Sequence, residues 1–119
     1  MEAAAKGAKA ANGVTVGILP ESDESGANPY IDIPIITGMG NGRNVSNILS
    51  SHVVIAVSGG YGTLSEIALA LKTRKPVIAF HSWDLSTLAG GLKADPLFFK
   101  VSTPEEAVNK AIELAQLKS

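Results

Sequence analysis

Ser58-Gly59-Gly60-Tyr61-Gly62-Thr63 follows an apolar run, Val53–Val57, and leads into a helical pattern that carries Glu66. This combination can hold an anion. The first amides of a helix have no acceptor within it, and the helix dipole places partial positive charge at that end. Glycine lets a ligand reach those amides, because a side chain would stand in its way. The segment is not a P-loop, since no Lys-Ser/Thr pair follows at the required spacing. Nor is it the dinucleotide fingerprint: Gly60-x-Gly62 fits, but Ser65 takes the third glycine position. A tight strand-to-helix turn with no ligand is the alternative reading.

Glu66 has two readings. Thr63 and Glu66 stand at the spacing of a capping box, in which the carboxylate bonds back to the N-cap amide. A carboxylate beside a phosphate seat can also bind a ribose hydroxyl or stabilise an oxocarbenium-like centre at a sugar carbon. Arg43 lies between the turn Gly38-Met39-Gly40-Asn41-Gly42 and a helix start. A cation gains nothing from the dipole there, whereas a guanidinium suits phosphate or a ring carboxylate. His52 and His81 have no partner constellation and read as partly buried structural residues. Asp84 lies about where a dinucleotide-binding domain places its ribose-binding acid, an isolated match given the incomplete fingerprint. Trp83 reads as cover for a loop or an interface. No His/Asp/Glu grouping has metal-ligand spacing.

The elements that position these residues follow from pattern. Glu2–Ala11 is an alanine-rich helix stopped by Asn12-Gly13. Val14–Leu19 is a short strand, Glu21–Tyr30 a polar loop, and Ile31–Thr37 an edge or irregular strand because it contains Pro34. Asn44–Ser51 carries Val45, Ile48 and Leu49 at helical spacing. Val53–Val57 is uniformly apolar, the pattern of a strand covered on both faces. Thr63–Thr73 is a helix with Leu64, Ile67, Ala68 and Leu71 on one stripe, and its first turn holds Glu66. Pro76–Phe80 is a buried strand, His81–Asp95 a long loop with Gly90-Gly91, and Leu97–Val101 a last strand. Thr103-Pro104-Glu105-Glu106 opens the final helix with an N-cap, a proline at the first helical position and a capping-box Glu. This alternation gives a single α/β domain over residues 1–119, a Rossmann-like three-layer fold with a mainly parallel sheet of three to five strands. Ligands in such sheets bind outside the carboxyl ends of the strands, where Ser58–Thr63, His81–Asp84 and Gly38–Arg43 fall.

The chain of 119 residues is 45% hydrophobic and 18% charged, a profile that can bury a core rather than remain disordered. A net charge of −1 with no basic stripe argues against nucleic acid. Cysteine is absent, which excludes disulfides and thiolate metal sites. No long apolar span or signal-like N-terminus suggests a membrane, so the cytoplasm is the expected compartment.

The motif Ser-Gly-Gly-Tyr-Gly-Thr-Leu-Ser-Glu (Ser58–Glu66) resembles the signature of the Lonely Guy family and its relatives, Pro-Gly-Gly-x-Gly-Thr-x-x-Glu, with Ser58 replacing the proline. The relatives include the molybdenum cofactor carrier proteins and a group long labelled possible lysine decarboxylases. Gly38-Met39-Gly40 with Arg43-Asn44, and Thr63-Leu64-Ser65-Glu66 after the glycines, look closer to the carrier proteins than to the cytokinin-activating enzymes. The resemblance extends over nearly the whole chain.

It implies a binding protein for a phosphorylated small molecule, a nucleotide or a molybdopterin-type cofactor, held by Ser58, Gly59, Gly60, Tyr61, Gly62 and Thr63 with Gly38 and Met39. The phosphoribohydrolase branch implies instead cleavage of a nucleoside 5′-monophosphate, with Glu66 and Arg43 catalytic. A structural or regulatory oligomer with an empty turn is the third reading. Lysine decarboxylation finds no support, since no Schiff-base lysine context is visible. Family members begin with a strand, a helix and a second strand, and Met1-Glu2-Ala3-Ala4-Ala5 looks like the helix that follows these. The chain is therefore expected to lack the family's first two strands, as a fragment, through an internal start, or with another chain filling the gap. The resulting open edges lead us to expect a homo-oligomer, dimer or tetramer, or poor stability.

Overall fold

The computed structural model describes residues 1–85 and 95–116. They fall into two compact units, Met1–Arg43 and Asn44–Ser119. Gly90-Gly91, expected in the loop after the fourth strand, lies outside the described residues.

Unit one contains α1 (Glu2–Ala10), β1 (Val16–Leu19) and β2 (Ile33–Ile36), with short 3-10 turns at Glu24–Gly26 and Gly40–Gly42. α1 ends as its Asn12-Gly13 signal predicts. Asn12 takes a positive φ of 62°, and the Asn12 and Gly13 amides donate to the carbonyls of Lys9 and Ala8. β1 and β2 pair in parallel, Val16 opposite Ile33 and Gly17 opposite Pro34, so each is an edge strand and Pro34 is tolerated. A polar network ties the helix to the strands. The Asp32 carboxylate accepts from Lys9 Nζ (3.0 Å) and from the Thr15 amide (2.8 Å), while the Asp32 amide donates to Thr15 Oγ1 at 2.9 Å. The Lys9 ammonium, together with the Thr15 amide, lowers the Asp32 pKa below its ordinary value.

Unit two holds most of the core. Helix α2 (Arg43–Leu49, its first residue in unit one) leads to β3 (Val54–Val57), α3 (Tyr61–Lys72), β4 (Val77–Phe80), β5 (Phe98–Val101) and α4 (Pro104–Gln116). The sheet order is β3-β4-β5, all parallel, with Val57 opposite Phe80 and Phe80 opposite Val101. Ile48, Ile67 and Ala70 of α2 and α3 pack with Ala56, Val77, Ala79 and Phe98. On the other face, Ala107 and Leu114 of α4 pack with Ile78. This makes three layers, helix–sheet–helix. α4 starts as expected, with the Glu106 amide donating to Thr103 Oγ1 at 3.1 Å.

Three expectations from pattern need correction. β3 is an edge strand of its sheet, and Ile55 and Val57 are 40% and 59% exposed, so it is not covered on both faces. An uninterrupted apolar run reports what a strand can bury, not what lies beside it. Within α2, Ile48 is buried while Val45 and Leu49 lie outward. On α3 the fully buried positions are Ile67 and Ala70, whereas Ala68 is exposed: the face turned to the core is centred on Ile67 and Ala70.

Candidate functional site

β3 leaves the sheet through two residues in left-handed backbone, Ser58 (φ 54°) and Gly59 (φ 95°). At Gly59 the glycine is required twice over. Its φ disfavours any side chain, and a Cβ there would lie 1.9 Å from Thr63 Oγ1. Gly60 is the N-cap of α3, and no side chain caps it. The helix therefore starts at Tyr61, two residues before the position its sequence suggested. The first amide of the helix with an acceptor is that of Leu64, which donates to the Gly60 carbonyl at 3.1 Å. Among the described residues, the amides of Gly59, Gly60, Tyr61, Gly62 and Thr63 have no hydrogen-bond acceptor. Five consecutive open donors stand at the positive end of a twelve-residue helix, the donor arrangement that an anion seat requires.

This start overturns the capping-box reading of Thr63 and Glu66. Thr63 is the third residue inside the helix, and Glu66 lies in the second turn, not the first. Glu66 is half-buried and makes no hydrogen bond or ion pair among the described residues. Its carboxylate is left for something other than closing the helix.

The turn is braced from two sides. Asn44, a buried polar residue of α2, donates from Nδ2 to Ser65 Oγ (3.0 Å) and to the Gly62 carbonyl (3.3 Å), and Ser65 Oγ donates to the same carbonyl at 2.8 Å. From the loop after β4, Ser82 Oγ donates to the Ser58 carbonyl at 2.6 Å and Trp83 Nε1 to the Gly60 carbonyl at 2.9 Å. Trp83 also stacks on Tyr61, with ring centroids 6.0 Å apart. Sequence reasoning quoted Asn44 and Ser65 only within motifs and Ser82 only within a loop, and gave none of the three a bracing role, because a hydrogen bond across elements leaves no spacing signal. Trp83, read from the sequence as cover for a loop or an interface, instead makes a directed hydrogen bond to the turn.

His52 and His81 are both exposed rather than partly buried as expected, and His81 follows β4 in left-handed backbone (φ 48°) and stacks on Phe80 at 4.2 Å. Asp84 pairs with Lys100 at 3.0 Å across the carboxyl ends of β4 and β5. A shallow cleft of about 170 Å³ opens there, lined by His81, Ser82, Trp83, Asp84, Lys100 and Ser102 among others. No group of three or more His, Cys, Asp or Glu residues among the described residues could hold a metal ion.

Gly38, Met39 and Arg43 belong to unit one and are described within it. Gly38 has a positive φ of 61° and donates its amide to the Glu21 carbonyl at 2.8 Å, and the Met39 amide donates to Thr37 Oγ1 at 3.2 Å. Those two amides are therefore engaged, unlike the ones of the glycine turn. Arg43 donates from Nη1 to the Ile18 carbonyl at the end of β1 (3.0 Å), while its buried Nε has no partner among the described residues.

A strand, a left-handed glycine turn and a helix with open amides, inside a parallel three-layer sheet, now stand beside known proteins. The family model described as the SLOG cluster4 family matches residues 1–108. The chain belongs to this family. An uncharacterised protein of Archaeoglobus fulgidus is 45% identical over 112 residues, which are 94% of this chain and 68% of that protein. The molybdenum cofactor binding protein of the phototrophic bacterium Rippkaea orientalis superposes with a TM-score of 0.82 at 42% identity, covering 96% of this chain and 70% of that one. The molybdenum cofactor carrier protein of Chlamydomonas reinhardtii does so with a TM-score of 0.77 at 36% identity, covering 98% and 70%. This SLOG cluster4 chain thus has the Rossmann-like α/β fold and the carrier-protein likeness that its sequence implied. It spans about 70% of the length of these relatives. No described helix is long and apolar enough to cross a membrane.

Proposed function

We propose that the chain binds a phosphorylated small molecule, with the phosphate on the amides of Gly59–Thr63, in the manner of a molybdenum cofactor carrier. The open amides of that turn carry the reading: they offer five donors and no competing acceptor. Ser58, Gly59, Gly60, Tyr61, Gly62 and Thr63 form the proposed seat, which lies within unit two. A molybdopterin-type cofactor fits this donor set through its phosphate, and the chain has no cysteine to offer the metal. When bound, the group would supply its own redox chemistry. The residues named here would hold and orient it. Self-association of the chain is part of the proposal: β3 ends its sheet among the described residues, and Ile55 and Val57 are exposed.

One observation favours a second reading, cleavage of a nucleoside 5′-monophosphate: Glu66 is half-buried and not engaged in capping. In that reading Glu66 is the catalytic carboxylate. Incubation with adenosine 5′-monophosphate separates the two. Binding without release of adenine supports the carrier, and free adenine with ribose phosphate supports the enzyme. Co-elution of molybdenum and pterin fluorescence with the protein, after mixing with cofactor released from a molybdoenzyme, tests the ligand itself. Gly59→Ala abolishes either binding event if the turn is the seat. Undiminished binding by that variant contradicts the site.

A further inference from the structure

We infer that Ser82 and Trp83 are positioning residues for the anion seat. They set the direction of its amides by holding the carbonyls on the other side of the same peptide groups. This inference rests on the phosphate-binding reading of the turn. A trans peptide group is planar, with its C=O and N–H pointing in opposite directions, so fixing one fixes the other. The Ser58 carbonyl, held by Ser82 Oγ at 2.6 Å, belongs to the same peptide as the Gly59 amide. The Gly60 carbonyl, held by Trp83 Nε1 at 2.9 Å, belongs to the same peptide as the Tyr61 amide. No peptide among the described residues is cis, so the relation holds for both.

The turn has reason to need such bracing. Glycine loses more conformational freedom on ordering than any other residue, and Gly59-Gly60 places two in succession where no side chain caps the helix. The two braces come from one loop, which starts in register with the turn: Val57 is opposite Phe80, and both strands exit through a left-handed non-glycine residue, Ser58 and His81. The Ser58 amide also lies 3.4 Å from the Phe80 carbonyl and continues the strand pairing one residue further. The Gly60 carbonyl serves two donors, Trp83 Nε1 and the Leu64 amide that starts the helix, which matches its two lone pairs. The loop after β4 therefore fixes both peptide groups flanking the glycine pair while its side chains need not touch the ligand.

Ser82→Ala and Trp83→Phe each remove one donor, and the phenyl ring keeps the stack on Tyr61. The probe is inorganic pyrophosphate, titrated by calorimetry on the full chain, with thermal unfolding of each variant as a control. The expected result is roughly fivefold weaker binding in each variant, the effect of losing one neutral hydrogen bond. Ser82→Thr, which keeps the hydroxyl, retains wild-type affinity. The amide resonances of Gly59 in Ser82→Ala and of Tyr61 in Trp83→Phe move, while those of β5 stay in place. Affinities within twofold of wild type in both variants overturn the inference. If wild-type protein does not bind the probe, the phosphate reading fails with this probe and the resonances alone decide: movement confined to the turn upholds the bracing, and none overturns it.

Discussion

The two compact units keep their structure by different means. Unit two buries Ile48, Ile67, Val77 and Ile78 almost completely between helices and a three-stranded sheet. Unit one leaves Val16, Ile33, Ile35 and Ile36 of its two strands exposed, and relies on the Lys9–Asp32–Thr15 network to fasten helix to strands. An apolar core is insensitive to pH and costly to disturb, whereas a charged, partly exposed network is screened by salt and lost with protonation. The proposed anion seat stands on the unit that has the core. That suits a site whose donors are backbone amides, since these are only as well directed as the elements that carry them.

The largest effect that would sharpen this contrast is loss of core volume. Ile67→Ala is expected to destabilise unit two by about 2–5 kcal/mol. Urea unfolding followed by the fluorescence of Trp83, the sole tryptophan, measures it. A loss below about 1 kcal/mol would mean that this core is not what holds the unit.

Acid should act on unit one first. The Asp32 pKa is lowered in the folded state, so its stabilising contribution is fully present above the unfolded value and is lost as pH falls through the folded one. Hydrogen exchange of the Ile33 and Ile35 amides should accelerate relative to its intrinsic pH dependence as Asp32 protonates, before that of Ile78 in the core. Asp32→Asn should remove this pH dependence. Simultaneous loss in both units would break the contrast.

The smallest effect is expected at Glu66. Glu66→Gln should change stability by no more than about 0.5 kcal/mol, as for a surface substitution, because the carboxylate closes no capping box. A loss of 1 kcal/mol or more on thermal unfolding would restore the capping role that the spacing suggested.

Much of this was legible in the chain itself. Pro34 announced an edge strand, Asn12-Gly13 a helix stop, and Thr103-Pro104 a helix start, because each depends on local backbone chemistry that the residue type dictates. The glycine turn was legible for the same reason, since Gly59 occupies a conformation and a space that other residues cannot. What could not be read was long-range. Thr63-x-x-Glu66 satisfies a capping pattern, yet the helix begins at Tyr61, where braces from Asn44, Ser82 and Trp83 meet the turn. The exposure of Ile55 and Val57 likewise depends on what neighbours β3, which no residue within the strand encodes.

The central claim is that the Gly59–Thr63 amides receive a phosphate. Amide-resolved NMR during titration with adenosine 5′-monophosphate tests it most directly. The expected result is saturable shifts centred on Gly59, Gly60, Tyr61, Gly62 and Thr63, lost in Gly59→Ala. Saturable binding that leaves these five resonances in place while moving others would contradict the account.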